Sequence, residues 1–144
     1  MSLDEKKFAF KILLKNLRDV TSLALEKGQR QEFLFPSLNY SFSRIWIQGF
    51  VKVKNPAFFV IDDETDSIKV SVKSIPEDIF GAVNVGDYVL VIGLLRQGKL
   101  SGFQISAHKV KKQNGGKVRN NLWHKHVDLI HSELCRKDSH GFTK

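Results

Sequence analysis

The chain has 144 residues and a formal net charge of +8, with 42% hydrophobic and 26% charged side chains. That length fits one domain of ordinary size, and that apolar fraction supports a packed core and excludes wholesale disorder. No apolar run reaches the roughly 18 to 20 residues of a membrane span, the charged opening MSLDEKKFAF has no secretory apolar core, and the single cysteine, Cys135, excludes an intrachain disulfide and a Cys-based zinc site. A reducing compartment, cytosol or nucleus, is expected.

In chain order, Ser2-Leu3-Asp4-Glu5 has the form of a capping box. Behind it Phe10, Leu13, Leu14 and Leu17 recur at helical spacing, with Lys7, Lys11, Lys15 and Arg18 mostly on the other arc. The pattern predicts an amphipathic helix to about residue 20 and a loop to residue 27. The rhythm changes in RIWIQGFVKV, where Ile45, Ile47, Val51 and Val53 alternate with Arg44, Trp46, Gln48, Phe50 and Lys52. Period two is a strand, and Gly49 on its aliphatic side permits a bulge or sharp coil. FFVIDDETDSIKVSV reads as a hairpin with a solvated acidic tip, its second arm placing Ile68, Val70 and Val72 on one face.

Pro76, Gly81 and Gly86 then break the strand rhythm, which predicts a short helical turn or loop. GDYVLVIGLLRQ is a fourth strand, and Gln97-Gly98-Lys99 turns it into a fifth, LSGFQISAHKV. Five short strands with an irregular link between the third and fourth predict a small barrel over residues 40–112, with the OB-fold as its usual form. A β-sandwich normally needs about seven strands and ranks second. Ile45, Ile47, Val51, Ile68, Val70 and Val72 are expected to point inward.

Lys109 to Arg119 reads as a polar, glycine-bearing linker, and residues 138–144 as a flexible tail. From Lys109 onward the chain carries +6 of the net +8. Lys109, Lys111, Lys112, Lys117 and Arg119 are therefore candidate phosphate contacts, or else a solvated surface.

The last element, within residues 113–137, is an apolar helix. Asn120 or Asn121 is the expected cap. Trp123, Val127, Ile130 and Leu134 are spaced four, three and four apart and share a face, while Leu122 and Leu129 widen the arc to one side. Two readings stand: the helix covers an open end of its own barrel, or the stripe is offered to a partner with Trp123 as anchor.

The amphipathic start FKILLKNLRD, then IWIQGFV, VGDYVLVIGLL and the closing LWHKHVDLIH resemble the RecQ-mediated genome instability protein 2 family over residues 8 to 131. The resemblance implies a single OB-fold that pairs with an OB domain of a larger subunit resembling RecQ-mediated genome instability protein 1. It implies a nuclear complex with a Bloom-type RecQ helicase and a type IA topoisomerase that dissolves double Holliday junctions, with a Fanconi-anaemia helicase peptide docking at the subunit interface. It places Lys11, Leu14 and Trp46 in partner-facing regions and Trp123, Val127, Ile130 and Leu134 on the closing helix.

Catalytic patterns are missing from the sequence. No nucleophile motif or phosphate-binding glycine loop is present, no cofactor is implied, and His124 and His131 lie about 10 Å apart along a helix, too far for one metal ion. The competing reading is a single-stranded DNA-binding subunit of a replication-protein-A-like or telomere-capping complex. It would use aromatic platforms beside basic groups, with Arg44, Phe50 and Lys52 next to Trp46. Packing under a helix or against a partner is the other reading of those aromatics.

Overall fold

The computed structural model describes residues 9–23, 31–97 and 102–142, with side chains described as far as Cys135. The Ser2 to Glu5 capping box and the Gly98-Lys99 turn lie outside the described residues.

Nine strands are present among them: β1 (Phe10–Lys11), β2 (Thr21–Ser22), β3 (Phe33–Phe35), β4 (Tyr40–Phe42), β5 (Arg44–Lys54), β6 (Phe58–Asp62), β7 (Ser67–Ser71), β8 (Tyr88–Gln97) and β9 (Phe103–Gln113). A short helix, α1 (Glu77–Gly81), links β7 to β8, and a long one, α2 (Gly116–Phe142), follows β9. Strands β5 to β9 are the five expected from the alternating pattern. Their pairing runs β5–β6–β7–β9–β8 and returns from β8 to β5, which makes a closed ring. Only the β7–β9 pairing in that ring is parallel.

Alternation sets the core. Ile45, Ile47, Val51, Ile68, Val70 and Val72 are buried, as their spacing predicts. Val53 breaks the alternation. The β5–β6 register shifts between Val51 and Val53, and the shift turns Val53 out to 50% exposure, because one extra residue moves a side chain to the other face. Two glycines mark close crossings. A Cβ on Gly49 would lie 2.8 Å from the Asp62 carbonyl oxygen, and one on Gly93 would collide with the Ser106 carbonyl oxygen.

The expected N-terminal α-helix is not found over residues 9–20. Phe10 and Lys11 instead pair in parallel with Ile45 and Trp46, and Leu14–Asp19 is a 3-10 helix whose first turn is closed by the Asn16 side chain accepting the Leu13 N–H at 2.8 Å. The reason is burial on two sides. Ile12, Leu13 and Leu14 are all buried in succession, with Ile12 and Leu14 in the main core and Leu13 in a separate cluster under α2. A one-faced α-helix cannot do this, whereas the period of three in a 3-10 helix still puts Leu14 and Leu17 together. Residues 31–42 also hold structure that the alternation did not reveal: β3 and β4 join β2 in an antiparallel side sheet, and the segment sends Phe33, Phe35, Leu38 and Phe42 into the core.

The predicted linker is replaced by regular structure. β9 runs to Gln113 and α2 starts at Gly116. The helix also continues through residues 138–142 of the expected tail. Gly115 at φ 80 supplies the left-handed residue that the turn between them needs.

Candidate partner interface

α2 packs against the outer side of β5, and the packing is built from specific pairs. Trp123 stacks on Trp46 with ring centroids 6.1 Å apart and planes 24° apart. Trp123, Val127 and Leu13 form a buried cluster with Trp46 packed against it. The Lys11 ammonium sits 4.5 Å over the Trp46 ring and donates to His126 Nε2 at 3.1 Å. Further along, His131 Nε2 donates to the Lys11 carbonyl at 2.9 Å and its ring stacks on Phe10 at 5.2 Å. Burial holds His126 below the usual histidine value, with the Lys11 charge adding to the effect. Burial likewise lowers His131.

The other side of the helix is tied down by the hairpin tip. Asp63 is fully buried, which corrects the expectation of a solvated tip at that one residue, while Glu64 and Asp66 are exposed as expected. Its carboxylate accepts from the Leu14 N–H at 2.8 Å, the Thr65 N–H at 2.9 Å, the Thr65 hydroxyl and the Asp66 N–H at 3.2 Å. Its carbonyl accepts from His124 Nε2 at 2.6 Å and Asn120 Nδ2 at 3.2 Å. Asn120, read from the sequence as a cap, lies inside the helix and is buried. Its amide also donates to Glu64 Oε1 at 2.7 Å. The Tyr88 hydroxyl lies 3.2 Å from Gln48 Oε1 and 3.3 Å from Asn120 Oδ1, and burial pushes its phenol far up, with the Asp63 charge in support.

The stripe expected to face a partner is therefore split. Trp123 and Val127 are buried on the chain's own barrel, Ile130 is partly buried, and Leu134 packs partly buried against the main core. Leu14 is core. The exposed apolar residues of α2 are the two that widened the arc, Leu122 and Leu129 at 61% each, together with Val118 at 68%. Their spacing, four and seven, stacks them on one face. The helix thus has two apolar faces, one docked and one open. Beside Leu122 runs an open cleft lined by Gln48, Arg119, Leu122, Trp123 and His126. The indole N–H groups of Trp46 and Trp123 are buried without an acceptor among the described residues.

The residues read as nucleic-acid contacts are distributed over β5, β9 and α2. Phe50 packs edge-to-face on Tyr88 at 5.0 Å and lies under Gly116, where a Cβ would be 3.2 Å from its ring. Lys52 sits 5.7 Å over that ring. Arg44 is partly buried on β5. Lys112 is ion-paired with Asp87 at 3.3 Å, and the Asp87 carboxyl is held low by the Asn84 backbone N–H, with Lys112 adding to it. Lys109 and Lys111 are exposed on β9, and Lys117 and Arg119 are exposed on the first turns of α2. Among the described residues no group of three or more His, Cys, Asp or Glu could hold a metal ion.

A five-stranded ring closed by a β5–β8 pairing, with a helix between its third and fourth strands, is an OB-fold. Residues 8–131 match the family described as RecQ-mediated genome instability protein 2, and the chain belongs to that family. No curated protein matches the sequence. Among solved structures, one titled as a replication protein A heterotrimer bound to ssDNA contains a similar chain, with TM-score 0.65 and 12% identity over 85% of this chain and 94% of that one. Telomere capping protein Ten1 from Saccharomyces pombe superposes with TM-score 0.59 and 14% identity, over 87% and 99%. A chain of the S. pombe Stn1-ten1 complex gives 0.60 and 11%, over 72% and 82%. At these identities the likeness is one of fold.

Proposed function

We propose that the chain is a non-enzymatic scaffold subunit that pairs through α2 with an OB-domain protein resembling RecQ-mediated genome instability protein 1. In this reading the pair serves, in the nucleus, a complex of a Bloom-type RecQ helicase and a type IA topoisomerase that processes recombination intermediates, and a Fanconi-anaemia helicase peptide docks on the assembled pair. Family membership supports the setting. The observation that carries the interface is the second apolar face of α2: Leu122 and Leu129 are each 61% exposed on a helix whose opposite face is already fixed to the barrel.

Burying a leucine side chain contributes roughly 1.5–3 kcal/mol, so two such residues at the centre of an interface are a large share of a stable association. The test is Leu122→Asp with Leu129→Asp, expressed in cells and purified for what accompanies it. The expected result is loss of the OB-domain partner with circular dichroism unchanged. A double variant that still recovers the partner in full would remove this face from the interface.

Single-stranded DNA binding has less support. The aromatic platforms it requires, Trp46 and Phe50, are occupied by Trp123 and by the start of α2.

A further inference from the structure

The strands beside the open helix face have an unusual composition. β5, β8 and β9 are neighbours in the ring, and they carry seven Lys or Arg residues and no carboxylate. The outward residues of β8 are aliphatic: Leu90 is buried, and Ile92 and Leu94 are partly buried. Across the register, Leu90 stands opposite Gln48 on one side and Lys111 on the other, and Ile92 stands between Trp46 and Lys109. Gln48 also lines the cleft with Leu122 and Arg119. From the exposed leucines of α2 the outer side therefore crosses the buried Gln48 and Leu90, reaches the half-buried Ile92 and Leu94, and ends at two exposed lysines.

We propose that this surface receives an apolar segment of the partner subunit bordered by carboxylates. The proposal rests on the scaffold reading above and adds the chemistry of the partner's side. The apolar stripe calls for aliphatic or aromatic side chains. The cations at its borders, Lys109 and Lys111 on β9 and Arg119 and Lys125 on α2, call for acidic ones, because complementary charge steers association and fixes register. Trp123 adds a third observation: the residue lines the cleft, and its indole N–H is buried without an acceptor among the described residues.

A nucleic-acid strand fits this surface poorly. Its phosphates would match the lysines, but Leu90, Ile92 and Leu94 offer no π-face for bases to stack on.

The experiment uses the full chain, the purified OB-domain subunit resembling RecQ-mediated genome instability protein 1, and a fluorescent oligothymidine. Affinities and association rates are read at about 50 and 500 mM salt, a range over which exposed charge pairs become screened. Lys109→Glu with Lys111→Glu is expected to weaken partner binding roughly tenfold or more at low salt, mainly by slowing association, and to flatten the salt dependence. Both lysines are exposed, so the fold is retained.

If charge reversal leaves partner affinity and its salt dependence unchanged while Leu122→Asp abolishes binding, the acidic border is wrong and the scaffold reading stands. If the wild-type chain does not bind that subunit, both readings fall. If charge reversal removes oligothymidine binding and spares the partner, the surface is a phosphate site and the proposal is overturned.

Discussion

Asp63 shows how much one side chain can organise. It is buried, yet it accepts from the backbone of Leu14, 49 residues away, while its carbonyl holds His124, 61 residues further on. Removing it strands the buried Leu14 N–H, at a cost of about 1–3 kcal/mol, and takes the acceptor from three part-buried donors of Thr65 and Asp66. Asp63→Ala is expected to lower unfolding free energy by about 3 kcal/mol or more in urea titration, and a loss below ~1 kcal/mol would show that the tip relaxes. From the sequence this residue was one acid in a run of four. Nothing in DDETD separates Asp63 from its neighbours; only the meeting of the hairpin with two remote segments selects it.

At the scale of the element, α2 is the part the sequence half revealed. Its period identified the apolar face through Trp123, Val127, Ile130 and Leu134, but not what that face packs on, since a helix that covers its own barrel and one that docks on another have the same spacing. The decision came from Leu13 and Trp46, more than 70 residues upstream, which supply the receiving surface. Trp123→Ala is therefore expected to destabilise the chain itself, by roughly 3–5 kcal/mol, read as a drop in denaturant midpoint. An unchanged midpoint would mean that the helix face is not part of the fold.

The seam also titrates. His126 and His131 have native values lowered from 6.5 by burial, so the unfolded chain takes up their protons first as pH falls. Their contribution is complete above about pH 6.5 and declines as pH drops through that value toward the lowered native ones. Melting temperature should fall between about pH 7.5 and 5.5, and His131→Gln should shrink that fall. A slope identical to wild type would assign the pH dependence to other groups. Asp128 acts in the opposite direction on His131 and limits the size of the effect.

Over the whole molecule, five strands and their inward residues were legible because half-buried strands alternate strictly. The segments that were not legible are Ile12 to Leu14, which is buried on two sides, and β3 and β4, which at three residues each are too short to show an alternating period. Ring closure depends on the point where β8 and β9 cross at Gly93. A methyl there meets the Ser106 carbonyl and the Ala107 Cα, both backbone atoms of β9. Gly93→Ala is expected to cost about 1–3 kcal/mol, measured by thermal unfolding. A variant as stable as wild type would show that the β8–β9 shift between Ile92 and Gly93 absorbs the extra carbon.

The separation of Lys11 from His131 by 120 residues has a consequence in time. On the ribosome, at about 5–20 residues per second, all five ring strands are made before the 27 residues of α2. Until α2 is made and docks, Leu13 and the face of Trp46 are bare. Every newly made molecule therefore passes through a sticky interval, and a chaperone that guards it would be expected to engage the chain before α2 docks.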